Sequence, residues 1–374
     1  MNCPYLILGI GIAVTGLFYG AAAAVITVAL KKARKRYPPL QFPVTVVIAA
    51  RNERRTIGTC LAALANQDYP QKLVEIIVAD DRSCDGTADV IERFRTVFPT
   101  LRRIAIEVVP VGVSPKKNAL AHAIGHAHGD VILQTDADCE PPPSWISGMV
   151  SGFGEGVGMV AGVAPYIEEP GMLNSFIRHE YLWNAALSAA SIKLGRGTHA
   201  SGRNLAFRRD MFERLGGYGS GANILSGDDT LLLHRFRRAA PSSVVTMPLR
   251  STHVPTHAPR SIAALLRQRI RHMSTGKYFD PVLIVSGLLV YGFHVLLVLT
   301  LVLSVISGTA RFIFIGGFVW KIFWDAVVAR RTHEVIELNV DWKAFVVNEL
   351  LLVFYMAFLP VLGTFLPVRW KENS

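Results

Sequence analysis

Residues 5–30 carry no charged side chain. As a helix, a run of about 26 such residues reaches across a ~30 Å hydrocarbon layer. A cleaved signal peptide is the competing reading. No Lys or Arg precedes the run, and the basic residues follow it, which argues against cleavage. Three further apolar stretches lie at 281–307, 311–328 and 344–368. The first is a clear span. The second holds Lys321 and Asp325, which are four residues apart, share a helix face and can pair. The second and third are read as crossing or interfacial. Between these stretches, from about 40 to 280, the composition is that of a soluble domain. The chain as a whole is 51% hydrophobic and 18% charged, against about 25% charged in soluble domains. The pattern predicts a soluble domain set between membrane segments.

The net charge of +11 admits two classes of partner. One is nucleic acid; the other is an anionic membrane surface together with a phosphate-bearing substrate. The charge is clustered. Lys31, Lys32, Arg34, Lys35 and Arg36 follow the first apolar run, and Arg267, Arg269 and Arg271 precede the second. With no nucleic-acid motif in sight, the second class is favoured and nucleic acid is not expected as a partner. The positive-inside rule then places 31–36 and the domain after them in the cytoplasm of a multi-pass cell (inner) membrane protein. Cys3, Cys60, Cys84 and Cys139 are scattered without metal spacing and read as reduced thiols.

The middle region alternates. Short apolar runs at 44–49, 74–79, 104–109 and 131–134 read as strands, and 56–66, 87–98 and 118–128 as helices. That order predicts an α/β, Rossmann-like and mostly parallel sheet. In such sheets ligands bind beyond the carboxyl ends of the strands. Acids stand there: Glu53 after the first strand, Asp80 and Asp81 after the second, Asp136 and Asp138 after the fourth. Gathered acids repel unless a cation compensates. Asp136 and Asp138 flank one small residue and can share a divalent ion, which prefers oxygen ligands and holds phosphates too. A lone Asp-x-Asp is also an ordinary solvated turn; its place after a buried strand argues for a site. Asp228 and Asp229 read either as a helix start or as chemistry. Ile262, Leu265, Leu266, Ile270 and Met273 recur at helical spacing, so 260–275 reads as an amphipathic interfacial helix. Its arginines serve as a snorkelling face or as phosphate ligands. His122, His126 and His128 read as surface or packing histidines. Tyr181 and Trp183 read equally as core or as an acceptor groove.

Four blocks then resemble family 2 glycosyltransferases, the inverting enzymes of the GT-A fold, and in particular their membrane-anchored, cellulose-synthase-like members. VTVVIAARNERRTIGTCLAALANQDYP with EIIVADDRSCDGT is similar to the family's opening. SPKKNAL with GDVILQTDADCEPPPSW is similar to its Asp-x-Asp segment. SGRNLAFRRDMFERLGGY with LSGDDTLLLHR resembles its acceptor and base region, and LLRQRIRH its Gln-Arg-x-Arg-Trp motif. The blocks stand in family order and cover roughly 44–276.

The resemblance implies a nucleotide-diphosphate sugar donor, most simply a UDP-sugar, and Mg²⁺ or Mn²⁺ as cofactor. It places Ala49, Arg51, Asn52 and Glu53 around the base and ribose, and Asp80 and Asp81 at the uridine. Lys116 falls near donor phosphate or base. Asp136 and Asp138 fall at donor and metal. Asp229 falls at the general base, with Asn204, Asp228 and His272 toward the acceptor. Gln268, Arg269 and Arg271 fall over the donor. The chemistry asks for these types: a displacement needs positive charge at the leaving diphosphate and a base for the acceptor hydroxyl. His272 stands where the family has Trp. The large stacking face for an acceptor sugar is therefore missing. The expected acceptor is a membrane-resident, lipid-like alcohol: a polyprenyl phosphate, a glycolipid or a hydroxycarotenoid. A processive polysaccharide synthase is the alternative within the class. A nucleotidyltransferase and a catalytically inactive membrane scaffold are the rivals outside it. The expected domains are an anchor with its basic flank (1–36), a GT-A domain (37–258), the interfacial helix (259–280) and a C-terminal transmembrane region (281–374).

Overall fold

A computed structural model describes residues 3–30, 41–224, 227–273 and 281–365. The basic flank 31–36 lies outside the described residues. In chain order the helices are α1 (Cys3–Ala29), α2 (Ile57–Ala65), α3 (Thr87–Phe94), α4 (Pro115–Gly125), α5 (Trp145–Val150), α6 (Met172–Lys193), α7 (Arg209–Arg214), α8 (Asp228–Ala239), α9 (Ile262–Met273), α10 (Pro281–Leu303), α11 (Gly308–Ile336) and α12 (Phe345–Phe365). The strands are β1 (Val44–Ala50), β2 (Val74–Asp81), β3 (Leu101–Ile106), β4 (Val131–Asp136), β5 (Met159–Gly162), β6 (Leu205–Arg208) and β7 (Val244–Met247). Two compact units result. One is an α/β unit from Lys32–Ile167 and Ser191–His257; the other is helical, from Met1–Lys31, Glu168–Ala190 and Ala258–Ser374.

The α/β unit is built on one seven-stranded sheet in the order β3-β2-β1-β4-β6-β5-β7. β1 pairs in parallel with β2 and β4, and β2 with β3. β6 runs antiparallel to β4 and β5. Successive strand residues face opposite sides. Val46, Ile48, Ile76, Val78 and Leu133 pack with Ile57, Leu61, Leu64 and Trp145 on one face. Val47, Ile77 and Ile132 pack with Leu120, Ile124, Leu232 and Phe236 on the other. Both faces are covered, so the strands read as continuous apolar runs. β3 sits three residues earlier than its apolar run suggests. It keeps register with β2 from Ile76↔Leu101 to Asp81↔Ile106, while Val108 and Val111 are exposed beyond that pairing. α4 also starts early, because Pro115 takes the first helical turn, where its missing N–H costs nothing.

Among the described residues of the helical unit, four helices are long and apolar enough to cross a membrane, one N-terminal and three C-terminal. α1 approaches α11 closely at its glycines. Trp320 Nε1 donates to Gly16 O at 2.7 Å, and a Cβ at Gly20 would meet the Trp324 and Trp320 rings. Lys321 and Asp325 do pair, at 2.6 Å, inside a buried network. Lys321 also meets Glu349; Tyr19 OH donates to Asp325 Oδ1 at 2.5 Å; His179 Nε2 lies 2.8 Å from Glu349 Oε1. Every member is buried and each carboxylate has more than one partner, which is what makes charge tolerable in an apolar interior.

Candidate active site

Register brings the acids of the α/β unit to one edge. Ala49 pairs with Asp136 across β1 and β4, and Ala50 with Asp80 across β1 and β2. Because β6 runs the other way, the residues just before it arrive at this same edge. They bring Gly202, whose N–H donates to Asp229 Oδ2 at 2.7 Å. Thr230 N–H donates to Asp229 Oδ1 at 2.6 Å. Thus both oxygens of Asp229 accept a backbone donor at the first turn of α8, where the helix dipole favours negative charge. A Cβ on Gly202 would stand 2.7 Å from Gln134 Nε2 and 3.0 Å from Asp228 Oδ2, so a side chain there would fill the space between the acids.

Lys116 sits at the centre. Its Nζ lies 2.8 Å from Asp136 Oδ1 and 3.4 Å from Asp228 Oδ2. Burial works against its charge, but Asp136 and Asp228 outweigh burial and raise its pKa, so it is an ammonium throughout the physiological range. Gln134 Nε2 donates to Asp228 Oδ2 at 3.1 Å from inside β4. Burial, then the neighbouring charge of Asp228, raises Asp229 to about 6; Lys116 and the two backbone donors work against that shift. Asp229 is thereby ionised near neutrality yet a far better proton acceptor than an ordinary carboxylate.

The loops after β1 and β2 are tied together. Asn52 has φ 55°, in the left-handed region that asparagine tolerates. Its N–H donates to Ser83 Oγ at 3.0 Å and its Oδ1 accepts from Cys84 N–H at 2.9 Å. Glu53 N–H donates to Thr87 Oγ1 at 2.9 Å, and Glu53 Oε2 accepts from Thr56 Oγ1 at 2.8 Å. Arg51 lies 3.6 Å from Asp81, which also pairs with Arg82 at 2.8 Å. Asp80 is buried and pairs with Arg103 at 2.9 Å.

Asp136 is half-buried and Asp138 exposed, with buried Ala137 between them. Among the described residues no group of three or more His, Cys, Asp or Glu forms a metal cage. Two hard oxygen ligands at an open edge still fit Mg²⁺ or Mn²⁺, which commonly completes its shell with substrate phosphates and water. His122 and His126 turn to the carbonyls of Asn118 and His122, and His128 to Glu75.

Asn204 is turned into the interior of the α/β unit. Asn204 is fully buried: its Nδ2 donates to Val163 O at 2.8 Å and Thr252 O at 2.7 Å, and its Oδ1 accepts from Trp145 Nε1 at 2.9 Å. These three bonds tie its amide into the fold. Gln268, Arg269, Arg271 and His272 lie on α9 of the helical unit. There Arg269 is buried and pairs with Glu180 at 2.5 Å, while His272 is exposed. Sequence reasoning missed Gln134 and Gly202. A glutamine inside an apolar strand, two residues before an Asp-x-Asp, was the available signal for the first.

A mostly parallel sheet whose carboxyl edge gathers acids around one lysine is the frame of a GT-A glycosyltransferase, and the chain is an enzyme of that class, transferring sugar from a nucleotide sugar. Residues 45–216 match the family model described as Glycosyl transferase family 2. Glycosyltransferase AglE of Haloferax volcanii is 27% identical over 229 residues, 61% of this chain and 71% of that one. The probable glycosyltransferase YdaM of Bacillus subtilis is 32% identical over 181 residues, 47% of this chain but only 42% of its own length. Among solved structures, the mannosyltransferase PcManGT of Pyrobaculum calidifontis, in complex with GDP-Man and Mn²⁺, has the same fold, with TM-score 0.61 over 94% of this chain and 98% of that one at 19% identity.

Proposed function

We propose that the chain is a membrane-bound inverting glycosyltransferase that moves a sugar from a nucleotide-diphosphate sugar to the hydroxyl of a lipid-like acceptor. One observation carries the reading: Lys116 joins Asp136 of the Asp-x-Asp to Asp228, beside Asp229, at the ligand-binding edge of the sheet. Donor side and acceptor side of a displacement thus meet at one cation.

The acceptor hydroxyl attacks the anomeric carbon as the bond from that carbon to the diphosphate oxygen breaks. The hydroxyl proton passes to the Asp229 carboxylate, and the nucleoside diphosphate leaves with the bonding electrons. Gly202 and Thr230 hold Asp229 in place, so the base needs no reorganisation. Lys116 restrains repulsion among the acids. Asp136 and Asp138 would hold Mg²⁺ or Mn²⁺, which when bound supplies positive charge at the diphosphate. Arg51, Asn52, Glu53 and Asp81 line the side of the edge assigned to the nucleotide, with Asp80 fixing that wall through Arg103. The Mn²⁺ and GDP-Man of PcManGT support a divalent ion and a nucleotide-diphosphate donor. Gln268, Arg271 and His272 on the amphipathic α9 are assigned to donor and acceptor, with Arg269 setting that helix on Glu180.

The apolar helices and the exposed His272 in place of a stacking Trp support a lipid-like acceptor, one sugar added per lipid, and a catalytic unit facing the cytoplasm of the inner membrane. Purified protein in lipid, incubated with radiolabelled UDP- and GDP-sugars and total membrane lipids, should label one discrete lipid. Labelling of a long polymer, with every lipid left unlabelled, replaces this reading with a processive synthase.

A further inference from the structure

Two lysines stand side by side at the start of α4, and the chemistry above uses only the first. Lys117 is 1% exposed, although lysine is among the residues least often buried. A buried ammonium needs acceptors for its protons. Lys117 Nζ donates to the carbonyl oxygens of Gly221 at 2.8 Å and Ile224 at 2.7 Å. These carbonyls belong to the segment that leads from α7 to α8, and α8 opens with Asp228 and Asp229.

Short-range backbone bonds and the buried Tyr218 ring, packed on Phe212, shape that segment, and two cations add to them. Its sequence from Leu215 to Ile224 contains Gly216, Gly217, Gly219 and Gly221, the first three in the left-handed region at φ 72°, 58° and 49°. Glycine-rich chain is costly to order. A second cation acts on the same stretch: Arg235 of α8 donates to Tyr218 O at 3.5 Å and to Leu215 O. The carbonyls of residues 215, 218, 221 and 224 are thus taken, one every third residue, by two cations from two helices. Gly227, at φ 74°, then turns the chain into α8.

We infer that Lys117 is a positioning residue, which fastens this glycine-rich approach to α4 and so sets Asp228 and Asp229 against Lys116 and Gly202. The tandem lysines divide the work. Lys116 meets the carboxylates, and Lys117 meets the backbone that delivers them, both from consecutive positions of one helix. A methionine of similar length would fill the same volume, so packing alone gives no reason for an ammonium here. Burial lowers the pKa of Lys117 to about 8, with the charges of Asp228 and Asp229 opposing that shift, so the ammonium form prevails at pH 7.

The inference rests on Asp229 being the base, but part of its test does not. Full-length Lys117→Met, Lys117→Arg and Lys117→Gln proteins in lipid are compared with wild type and with Asp229→Asn. Hydrogen exchange is read at the amides of 215–224, with donor Kd, kcat and acceptor KM. Lys117→Met should speed exchange in that segment about tenfold or more while other strands stay protected. It should lower kcat about 10- to 100-fold, the scale of a small misplacement of a reacting group, and leave donor Kd within about twofold. Lys117→Arg, which keeps charge and donors, should recover part of kcat; Lys117→Gln serves the same comparison if the methionine variant does not fold. Unchanged exchange at 215–224, or a loss of protection throughout the α/β unit together with donor binding, overturns the inference. If Asp229→Asn keeps full turnover, the base assignment fails, and the exchange comparison still decides what Lys117 does.

Discussion

Replacing Asp229 by Asn separates a base from a mere helix-start acid, because the two roles differ in size. As an acid in the first turn of α8, Asp229 is worth about 0.3–1 kcal/mol through the helix dipole. As a general base it contributes about 10²-fold or more in rate, equivalent to about 2.7 kcal/mol of barrier. The geometry predicts the stability side as well. Two backbone N–H groups, of Gly202 and Thr230, point at the two carboxylate oxygens. An Asn has one oxygen, so one buried N–H would face an NH₂ group, at a cost of about 1–3 kcal/mol. Relief of repulsion from Asp228 offsets part of that cost. The variant should therefore melt only a few degrees lower, bind donor as wild type does, and turn over about 10²-fold slower or worse. Steady-state transfer at saturating donor and metal, with donor titration and thermal melting, measures all three. Turnover within a few-fold of wild type, with the melting loss present, would refute the assignment. The pH dependence gives a second reading. The carboxylate is the active form, so wild-type turnover should rise about tenfold per pH unit below about 6 and level off above it. The stability term has the opposite sign. The folded pKa is raised, so the folded state holds the proton more tightly than the unfolded chain. This stabilisation is full below the unfolded value of about 3.9 and is lost as pH rises to about 6.

Asp138→Asn, or a chelator, should abolish transfer while far-ultraviolet dichroism stays unchanged; full activity under either condition removes the metal role. Asn204→Ala should leave the Thr252 carbonyl and the Trp145 indole N–H without this partner inside the core, while Val163 O keeps the Val254 N–H. Each such orphan costs about 1–3 kcal/mol, so melting should fall by more than about 5 °C, and a fall under 2 °C would contradict the clamp. A cysteine placed at exposed Glu155, with the native cysteines removed, should resist membrane-impermeant thiol reagents in intact cells; ready labelling would reverse the orientation.

The first half of the sheet was legible because β1, β2 and β4 are buried runs of six to eight residues, β2 and β4 ending in acids and β1 followed by Glu53. β5, β6 and β7 are four residues each, too short to show a period, and their order in the sheet follows from pairings distant in sequence. The acids of the site could be read because charge at the end of an apolar run is conspicuous. The residues that hold them could not. Gly202 acts through a backbone N–H, which any residue has, and its identity matters only because Gln134 and Asp228 crowd it. Lys117 directly follows Lys116, and one helical step sends the two side chains to different partners. The burial of Asn204 and its three bonds arise from segments distant in sequence, so its neighbours could not reveal them.

On the proposed membrane-bound reading, the ion network of the helical unit bears on how its helices would enter an apolar phase. A lone Lys or Asp at the centre of a helix costs roughly 2.5–3.5 kcal/mol to insert. Lys321 and Asp325 sit one turn apart on α11 and meet at 2.6 Å. That helix therefore carries a counter-ion for its mid-helix lysine. Glu349 has no such companion on α12; its partners Lys321 and His179 stand on other helices. An order of assembly follows from chemistry alone. α11 can be stably housed by itself, α12 settles only once α11 and α6 are there to receive its carboxylate, and Tyr19 of α1 closes the remaining oxygen of Asp325. A chain interrupted between α11 and α12 would keep its lysine half-answered, a mark by which quality control could tell an unfinished molecule from a finished one.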